Sequence, residues 1–392
     1  MCSTQVKIAI VFPLAVLVVG LTSCKPLIRC SKPKRVTCLE KKGDHLRKDH
    51  ILQISICIAL LAIVLTTAFR VVANPEPYAS TQRLTQASTQ AIEPWWPSRW
   101  GASDEAGASN WITPNKVMAA VQLIEAGKIY ELGRQYDADM PLFGERVFSL
   151  RISGTPTGGP FGSNQLTYFD EYLTAEIGQV GTQFDGLGHI GIQLGEPGDL
   201  TEMRHYNGFT VSEMGNAYGL QKLGIEQVKP IFTRGILIDV AGQKGRMLDA
   251  GEEIVMTDVQ AALAQQSLSE DDIQPGDAIL FNTGWGSLWQ VDNERYNSGA
   301  PGIGLEVAEW LIDKQVLLVG ADTWPVEVTP NPDADFVFPV HTELITKNGV
   351  FLHENLTLTE LIEDGVYQFA YIFVRVPITG ATGSAGSPIA VR

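Results

Sequence analysis

Short apolar runs recur along the chain from residue 129 onward, and they predict the strands of a sheet. They cover residues 129–132, 235–240, 278–282, 316–320 and 368–374. The last four runs are apolar at consecutive positions, which is typical of strands that are buried on both faces. We therefore expect a sheet whose strands are covered by helices or closed into a barrel.

Helical spacing precedes the first of these runs and recurs between later ones. Thr113 and Pro114 form a typical helix start, an N-cap followed by proline in the first turn. Apolar residues then follow at helical spacing as far as Ile124, and Gly127 is expected to end the helix. Two further helices are predicted over residues 256–267 and 304–314, and no linker-like stretch follows residue 100. This organisation predicts one mixed α/β domain of about 300 residues.

A different pattern, polar at alternate positions, occupies residues 179–189. The side chains in it that can bind a metal or take part in catalysis are Gln179, Gln183, Asp185 and His189, all at odd positions. In an extended segment alternate side chains share one face, so these four side chains could converge. Glycines at positions 181, 186 and 188 remove bulk beside them. The run predicts a metal or polyanion pocket on a strand that leads into a tight loop.

A second polar group lies nearer the C-terminus. His341 lies within residues 339–344, and Glu354 lies within residues 349–356. Gly349 is typical of a residue that follows a helix, with a strand beyond it. In that strand Glu354 shares a face with apolar residues, whereas His353 faces the other way. An unpaired buried carboxylate is costly, so Glu354 needs a cation or a strong hydrogen-bond donor, and a metal ion would serve.

Charge is distributed unevenly along the 392 residues. The first 73 residues contain 11 Lys and Arg against 3 Asp and Glu, whereas the remainder contains 18 against 41. An acidic globular part argues against nucleic acid as a partner, because phosphate binding needs surface Lys and Arg. All 5 cysteines also lie in the first 73 residues. A metal bound by the remainder must therefore use nitrogen and oxygen ligands.

The N-terminal residues 1–73 are predicted to be a hydrophobic targeting or anchor region, and residues 74–95 a linker. An apolar run at 8–21 precedes a lipoprotein-like cleavage box, and a second run at 51–69 ends near a small-residue site at 71–73. We expect the second run to be the working signal that exports the protein to the periplasm or outside the cell, with the first 45 or so residues as an upstream extension. The alternative is an N-terminal membrane anchor of two segments. N-terminal sequencing distinguishes them, because a first residue before Leu46 would contradict the export signal.

Residues 179–189 also resemble the signature His-x-Gly-Thr-His-x-Asp-x-Pro-x-His of the cyclase family of metal-dependent hydrolases, which includes bacterial kynurenine formamidase and isatin hydrolase. The positions that match are Gly181, Thr182, Asp185 and His189, and the replacements are Gln179, Gln183 and Leu187 for His, His and Pro. Further landmarks extend the similarity over roughly residues 98–392. The resemblance implies an α/β domain over residues 96–392, with a central mixed, barrel-like sheet and flanking helices of the swivelling β/β/α type.

The resemblance also implies which side chains hold a divalent metal. By position they are Asp185, His189, His341 and Glu354, with Gln179 and Gln183 in the places of two further imidazoles. The expected ion is Mn²⁺ or Zn²⁺, with Mg²⁺ as a further candidate. An amide oxygen is a neutral, hard ligand, so the glutamine half of the site should bind Zn²⁺ weakly and favours Mn²⁺, Mg²⁺ or no ion.

Other residues have candidate roles in the reaction. His189 or His341 would move the proton to the leaving nitrogen when it is not a metal ligand. His205 and Trp285 are candidate substrate contacts, with a surface-turn histidine and a core tryptophan as the alternatives. The glycine- and proline-rich residues 154–162 fit a mobile lid or a plain surface loop equally well.

The function that the resemblance implies is hydrolysis of the carbon–nitrogen bond of an amide or cyclic amide, as in an arylformamidase. A lactone or ester hydrolase on the same site, and a non-catalytic exported binding protein, are the alternatives. The sequence contains no Gly-x-Ser-x-Gly motif, which disfavours a serine hydrolase. The expected partner is a small-molecule substrate, and the family's common oligomerisation implies a homo-oligomer.

Overall fold

The computed structural model describes residues 94–215 and 217–392, all within one compact unit of the chain. The predicted targeting region and nearly all of the predicted linker lie outside the described residues. Across the part of the chain that is described, no helix is long and apolar enough to cross a bilayer.

Most strands of the described residues are short, and the longest has nine residues. In chain order they are β1 (Ile129–Glu131), β2 (Phe148–Ile152), β3 (Gly158–Phe161), β4 (Leu166–Tyr168), β5 (Glu171–Ala175), β6 (Gln183–Asp185), β7 (Ile192–Gln193), β8 (Met203–Arg204), β9 (Ile231–Asp239), β10 (Glu253–Ile254), β11 (Ala278–Asn282), β12 (Gly302–Ile303), β13 (Leu318–Ala321), β14 (Phe351–Glu354), β15 (Gln368–Phe373), β16 (Gly383–Ala385) and β17 (Ile389–Val391).

Helices lie between the strands. They are α1 (Pro114–Val121), α2 (Val211–Met214), α3 (Val240–Lys244), α4 (Met256–Gln265), α5 (Asn293–Asn297), α6 (Leu305–Asp313), α7 (Pro339–His341) and α8 (Thr359–Glu363). A π-helix continues α7 over Thr342–Lys347. Short 3₁₀ turns cover Gly107–Trp111, Tyr206–Gly208, Ile225–Gln227, Glu270–Asp272 and Trp285–Leu288.

Nine strands form one mixed sheet in the order β1-β17-β15-β9-β11-β13-β14-β6-β16. Strands β9, β11, β13 and β14 are parallel to one another, and the strands on both sides of them are antiparallel. The sheet curls into a half-barrel flanked by helices. The predicted mixed, barrel-like α/β fold is therefore confirmed.

The core lies on both faces of the parallel strands. Every residue of β11 and β13 is buried, as their uninterrupted apolar sequences predict. Helix α1 packs against β9 and β15, and helix α4 packs against β9, while the buried residues Val307, Ala308 and Leu311 of α6 belong to the same core. The central strands thus lie between layers, which explains why their sequences show no alternation.

Helix α1 starts as predicted but ends earlier. Thr113 is the N-cap, and its side chain accepts a hydrogen bond from the amide of Lys116. The helix ends at Val121 rather than near Gly127. The reason is a tertiary contact: the amides of Ala126 and Lys128 donate to the carbonyl of Arg392, at 3.1 and 3.0 Å. Arg392, which directly follows β17, therefore holds the segment before β1 in a non-helical conformation.

A two-part β-ribbon, here called the arm, extends over residues 148–175. Strands β2 and β5 form its base, and β3 and β4 form its end. Residues 154–162, predicted as a lid or a surface loop, include β3 and are almost all exposed. Leu150 and Leu173 pair directly across the base, and each is 48 % exposed. The arm therefore presents apolar side chains that the rest of the described chain does not cover.

Candidate metal centre

The pairing of β6 with β14 brings the two distant polar segments together. In this antiparallel pair Gln183 lies opposite Glu354, and Asp185 lies opposite Leu352. Alternate residues of a strand share a face, so Gln183, Asp185 and Glu354 point to the same side of the sheet. Nε2 of Gln183 donates a hydrogen bond to Oε2 of Glu354 at 2.5 Å. All three side chains are buried.

Gln179 reaches the same place through a turn rather than along a strand. Gly181 has a φ of +63°, and a Cβ there would lie 2.6 Å from the ring of Tyr136, so glycine is required. The turn returns the Gln179 side chain to Asp185, where its Nε2 donates to Oδ1 at 2.8 Å. The extended run expected over residues 179–189 is thus limited to β6, yet these side chains still meet.

His341 is positioned by Glu327. The amides of Val340 and His341, at the start of α7, donate to the Glu327 carboxylate at 3.2 and 2.9 Å. The same carboxylate bonds Nδ1 of His341 at 2.5 Å. This contact leaves Nε2 facing the site, 3.4 Å from Oε1 of Glu354 and 3.8 Å from Oδ2 of Asp185. Such a carboxylate contact on the far nitrogen is typical of metal-binding histidines.

These side chains fit a divalent metal. Asp185, His341 and Glu354 each offer one ligand atom, and these atoms lie within 4.8 Å of one another. Oδ2 of Asp185 is buried and has no hydrogen-bond partner among the described residues. The glutamines use the other carboxylate oxygens, so Oδ2 of Asp185 and Oε1 of Glu354 both face Nε2 of His341. An oxygen and nitrogen ligand set of this kind suits Zn²⁺ or Mn²⁺.

His189 lies beside this group. Its Nε2 is 3.9 Å from Oδ2 of Asp185, and its side chain is 21 % exposed. Burial lowers the pKa of His189, and the nearby His341 and Arg146 lower it further against the opposing effect of Asp185. The imidazole is therefore neutral at pH 7 and can accept a proton.

His341 and Glu354, in contrast to His189, both have raised pKa values. Burial alone would lower the pKa of His341, but the hydrogen bonds and charges of Glu327 and Glu354 outweigh it and raise the pKa to about 10. Burial and the charge of Asp185 raise the pKa of Glu354. Both raised pKa values indicate that the carboxylates of Asp185 and Glu354 favour a positive charge beside them. A metal ion competes with the His341 proton for that role.

A cavity of about 200 Å³ opens onto these side chains. Its lining consists of Phe143, Arg146, Gln179, Gln183, Asp185, His189, Ile190, Trp324, Pro325, Phe338, His341 and Glu354. The rings of Phe143 and Trp324 stack at 4.0 Å, and Phe338 packs edge-on against Trp324 at 6.0 Å. The candidate centre therefore lies at the wall of a partly aromatic cavity.

Of the two predicted substrate contacts, the structure places Trp285 in the core and His205 near His189 but outside the cavity lining. Trp285 is 1 % exposed and lies in a separate core cluster, where its Nε1 donates to the carbonyl of Tyr296. His205 is half-buried against Gly191, and burial together with His189 lowers its pKa to about 4. Neither residue is among those that line the cavity. The aromatic rings at the cavity are instead Phe143, Trp324 and Phe338.

His353 faces the opposite side of β14, as the alternation predicts. Its Nδ1 bonds the hydroxyl of Tyr371 at 2.6 Å, and its ring packs edge-on against Phe184. Burial lowers its pKa to about 3, so it is neutral in the folded protein. His353 is therefore a core residue.

Sequence reasoning gave no role to Glu327 or Arg146. Glu327 carried a detectable signal, because it is a carboxylate within the apolar run of residues 324–328, and a buried carboxylate needs a partner. Arg146 carried no such signal, since it lies in an irregular segment between β1 and β2. Only the folded chain brings it to the cavity.

Comparison with known proteins agrees with this structure. A sequence model of the family described as putative cyclase matches residues 98–328. A solved structure described as a novel cyclase is 31 % identical, covers 75 % of this chain and 98 % of its own, and has a TM-score of 0.66. The chain therefore belongs to the cyclase family.

More distant solved structures also match. Isatin hydrolase A from Ralstonia solanacearum is 17 % identical, with 72 % of this chain and 98 % of that chain covered, and a TM-score of 0.49. Isatin hydrolase A from Labrenzia aggregata, bound to benzyl benzoate, is 17 % identical, with coverages of 70 % and 97 % and a TM-score of 0.46. A comparison with curated proteins gives no match.

Proposed function

We propose that the protein is a metal-dependent hydrolase that cleaves the carbon–nitrogen bond of an amide or cyclic amide. One observation carries the proposal: Asp185, Glu354 and His341 each present one ligand atom, within 4.8 Å of one another, at the wall of a cavity. Two buried carboxylates without a cation are unfavourable, so an ion stabilises the arrangement. Membership of the cyclase family, which the sequence signature links to amide hydrolases, supports this chemistry.

The ion would be held by Oδ2 of Asp185, Oε1 of Glu354 and Nε2 of His341, with His189 beside them. When bound there, a divalent ion would lower the pKa of water and polarise a carbonyl group. Gln179 and Gln183 hold the carboxylates in place through their amide hydrogens. Glu327 holds Nδ1 of His341 and fixes the orientation of the ring.

His189 is the proposed proton carrier. Its pKa is lowered, so it is neutral and accepts a proton from the attacking water. The ring lies on the cavity wall, and its Nε2 can return this proton to the leaving nitrogen of the substrate. A neutral amine is a far better leaving group than an amide anion, so this proton transfer is what a carbon–nitrogen hydrolase requires.

The test uses the full chain, stripped with a chelator and reloaded with Mn²⁺, Zn²⁺ or Mg²⁺. Its substrates are an aryl formamide, a cyclic amide, a lactone and an ester. We expect amide turnover to be lost on stripping and restored by at least one ion. E354Q should lower both metal content and turnover, the latter by at least about 100-fold, whereas E360Q on an exposed helix position should change neither.

Two results would contradict the proposal. Turnover of the lactone or ester alone would favour the other hydrolase on the same site. Absence of turnover with every ion, together with a ligand-induced rise in melting temperature, would favour a binding protein.

A further inference from the structure

Arg146 places a positive charge at the cavity that the proposed mechanism does not use. Its side chain is half-buried and lines the cavity beside Gln179 and His189. Its one hydrogen bond within the described residues joins Nη2 to Oε1 of Gln179 at 3.3 Å. It makes no ion pair within 4.0 Å with any carboxylate of these residues. A guanidinium group has five N–H donors, so most of its bonding capacity is free.

The surroundings of Arg146 are aromatic. Its guanidinium carbon lies 5.7 Å from the ring centroid of Phe143. Phe143 stacks on Trp324, and the ring of Phe338 packs against Trp324. A ligand that reaches Arg146 therefore passes a flat apolar surface, which suits an aromatic ring.

The donors of Arg146, rather than its charge, are what the site leaves unused. Its charge acts on the nearby carboxylate of Glu354, but it makes no hydrogen bond to a carboxylate of the described residues. Its remaining N–H groups are therefore available to a ligand. Guanidinium binds carboxylates through two parallel hydrogen bonds, which makes a planar carboxylate the most suitable anion.

We infer that the substrate is an aromatic amide with a carboxylate group, and that Arg146 binds this carboxylate while the ring packs against Phe143, Trp324 and Phe338. The inference rests on the proposed function, because it treats the cavity as the place where the amide is cleaved. A cavity of about 200 Å³ is smaller than the roughly 300 to 1,000 Å³ of pockets for drug-sized ligands. A substrate with a single ring therefore fits it best.

Binding is measured first, because it needs no turnover. Benzoate and its neutral isostere benzamide are titrated by calorimetry into the Mn²⁺-loaded full chain. We expect benzoate to bind at least about tenfold more tightly than benzamide, since a bidentate charged contact is lost in the amide. R146Q should abolish the preference. R146K should retain part of it, because lysine keeps the positive charge but lacks the two parallel N–H donors of a guanidinium group. R151Q, a change at an exposed arginine of the arm, should retain it fully.

Kinetics provide the second readout. If the chain hydrolyses both 2-formamidobenzoate and formanilide, R146Q should raise KM for the first substrate with little change in kcat, and should leave the second unaffected. Equal binding of benzoate and benzamide would overturn the inference. A preference that survives in R146Q would also overturn it, because the carboxylate would then be bound elsewhere, for example by the metal.

The two proposals fail in different ways. Hydrolysis of formanilide and 2-formamidobenzoate with equal KM would leave the hydrolase intact and refute the role of Arg146. An Arg146-dependent preference for benzoate without hydrolysis of any amide would establish the anion site and refute the hydrolase.

Discussion

At the scale of single residues, Gln179 and Gln183 differ from the imidazoles of the family signature in what they offer. An imidazole can give a nitrogen lone pair to a metal, whereas both glutamines donate amide hydrogens to Asp185 and Glu354. Arg146 donates to Oε1 of Gln179, which directs its amide nitrogen toward Asp185. The site thus has two carboxylate oxygens held by amides and two that face Nε2 of His341, which favours a single ion.

Restoring the imidazoles should change the metal content. In the double variant Q179H/Q183H we expect higher Zn²⁺ affinity and occupancy that rises toward two ions per chain, because imidazole nitrogens that can bind a metal replace two amides that donate to carboxylates. Elemental analysis after dialysis against Zn²⁺ measures this. The control is Q260H/Q274H, in which both positions are exposed. Unchanged stoichiometry in Q179H/Q183H would show that these positions do not contribute ligands.

The buried His353 should make the free energy of unfolding depend on pH. Its pKa is about 3 in the folded chain and about 6.5 when unfolded. Since the folded value is the lower one, its contribution is fully present above about pH 6.5. It is lost as pH falls toward 3, by up to about 1.4 kcal/mol per unit.

Urea unfolding at pH 7 and pH 5 tests this dependence. The wild type should lose about 2 kcal/mol more than H353Q, in which the amide oxygen can still accept from the Tyr371 hydroxyl. Other titrating groups are common to both proteins and cancel in the difference. Equal losses would mean that His353 is not buried as a neutral group.

At the scale of elements, the register between β6 and β14 decides whether a site exists. Gln183 opposite Glu354 places both on the cavity side, and Phe184 opposite His353 fills the core. A slip of one residue would exchange these faces and bury the polar side chains among aromatic rings. The large apolar surface of Phe184, packed against Phe351 and Phe373, strongly disfavours such a slip.

The arm is the element on which the expected homo-oligomer can be tested. A two-stranded ribbon is marginally stable alone in water, and its cross-strand pair Leu150 and Leu173 is half exposed. We expect a second copy of the chain to cover this face. In light scattering, L150K/L173E should lower the mass of the full chain, whereas S149K/T174E on the opposite face should not. A monomeric wild type, or an unchanged mass in L150K/L173E, would contradict this expectation.

At the scale of the whole molecule, the half-barrel sheet holds the site together. Asp185 and Glu354 lie on adjacent strands at one side of the parallel group, and His341 lies just before β14. The sheet order β13-β14-β6 is therefore what joins segments that are far apart in the chain. Export or membrane anchoring concerns residues outside the described part, and it stays a prediction that sequencing of the mature N-terminus can test.

The sequence by itself determined the main strands, the two longest helices and the polar segments of the site. Buried strands require uninterrupted apolar runs, and helix starts require particular caps, so both leave local signals such as residues 278–282 and Thr113. The cyclase signature added the pairing of the two polar segments. Alternation along a strand also separated Glu354 from its neighbour His353.

Only the tertiary structure decided which side chains reach the cavity. Arg146 and Phe143 come from an irregular segment with no periodic pattern. Nothing in the local sequence distinguishes Trp285 from Trp324 as a residue of the cavity. The fold buries Trp285 in a core cluster and places Trp324 at the cavity. The end of α1 was likewise decided by Arg392, far away in sequence. Such contacts join segments that are distant along the chain. They depend on the order of the strands in the sheet, so the local sequence pattern does not predict them.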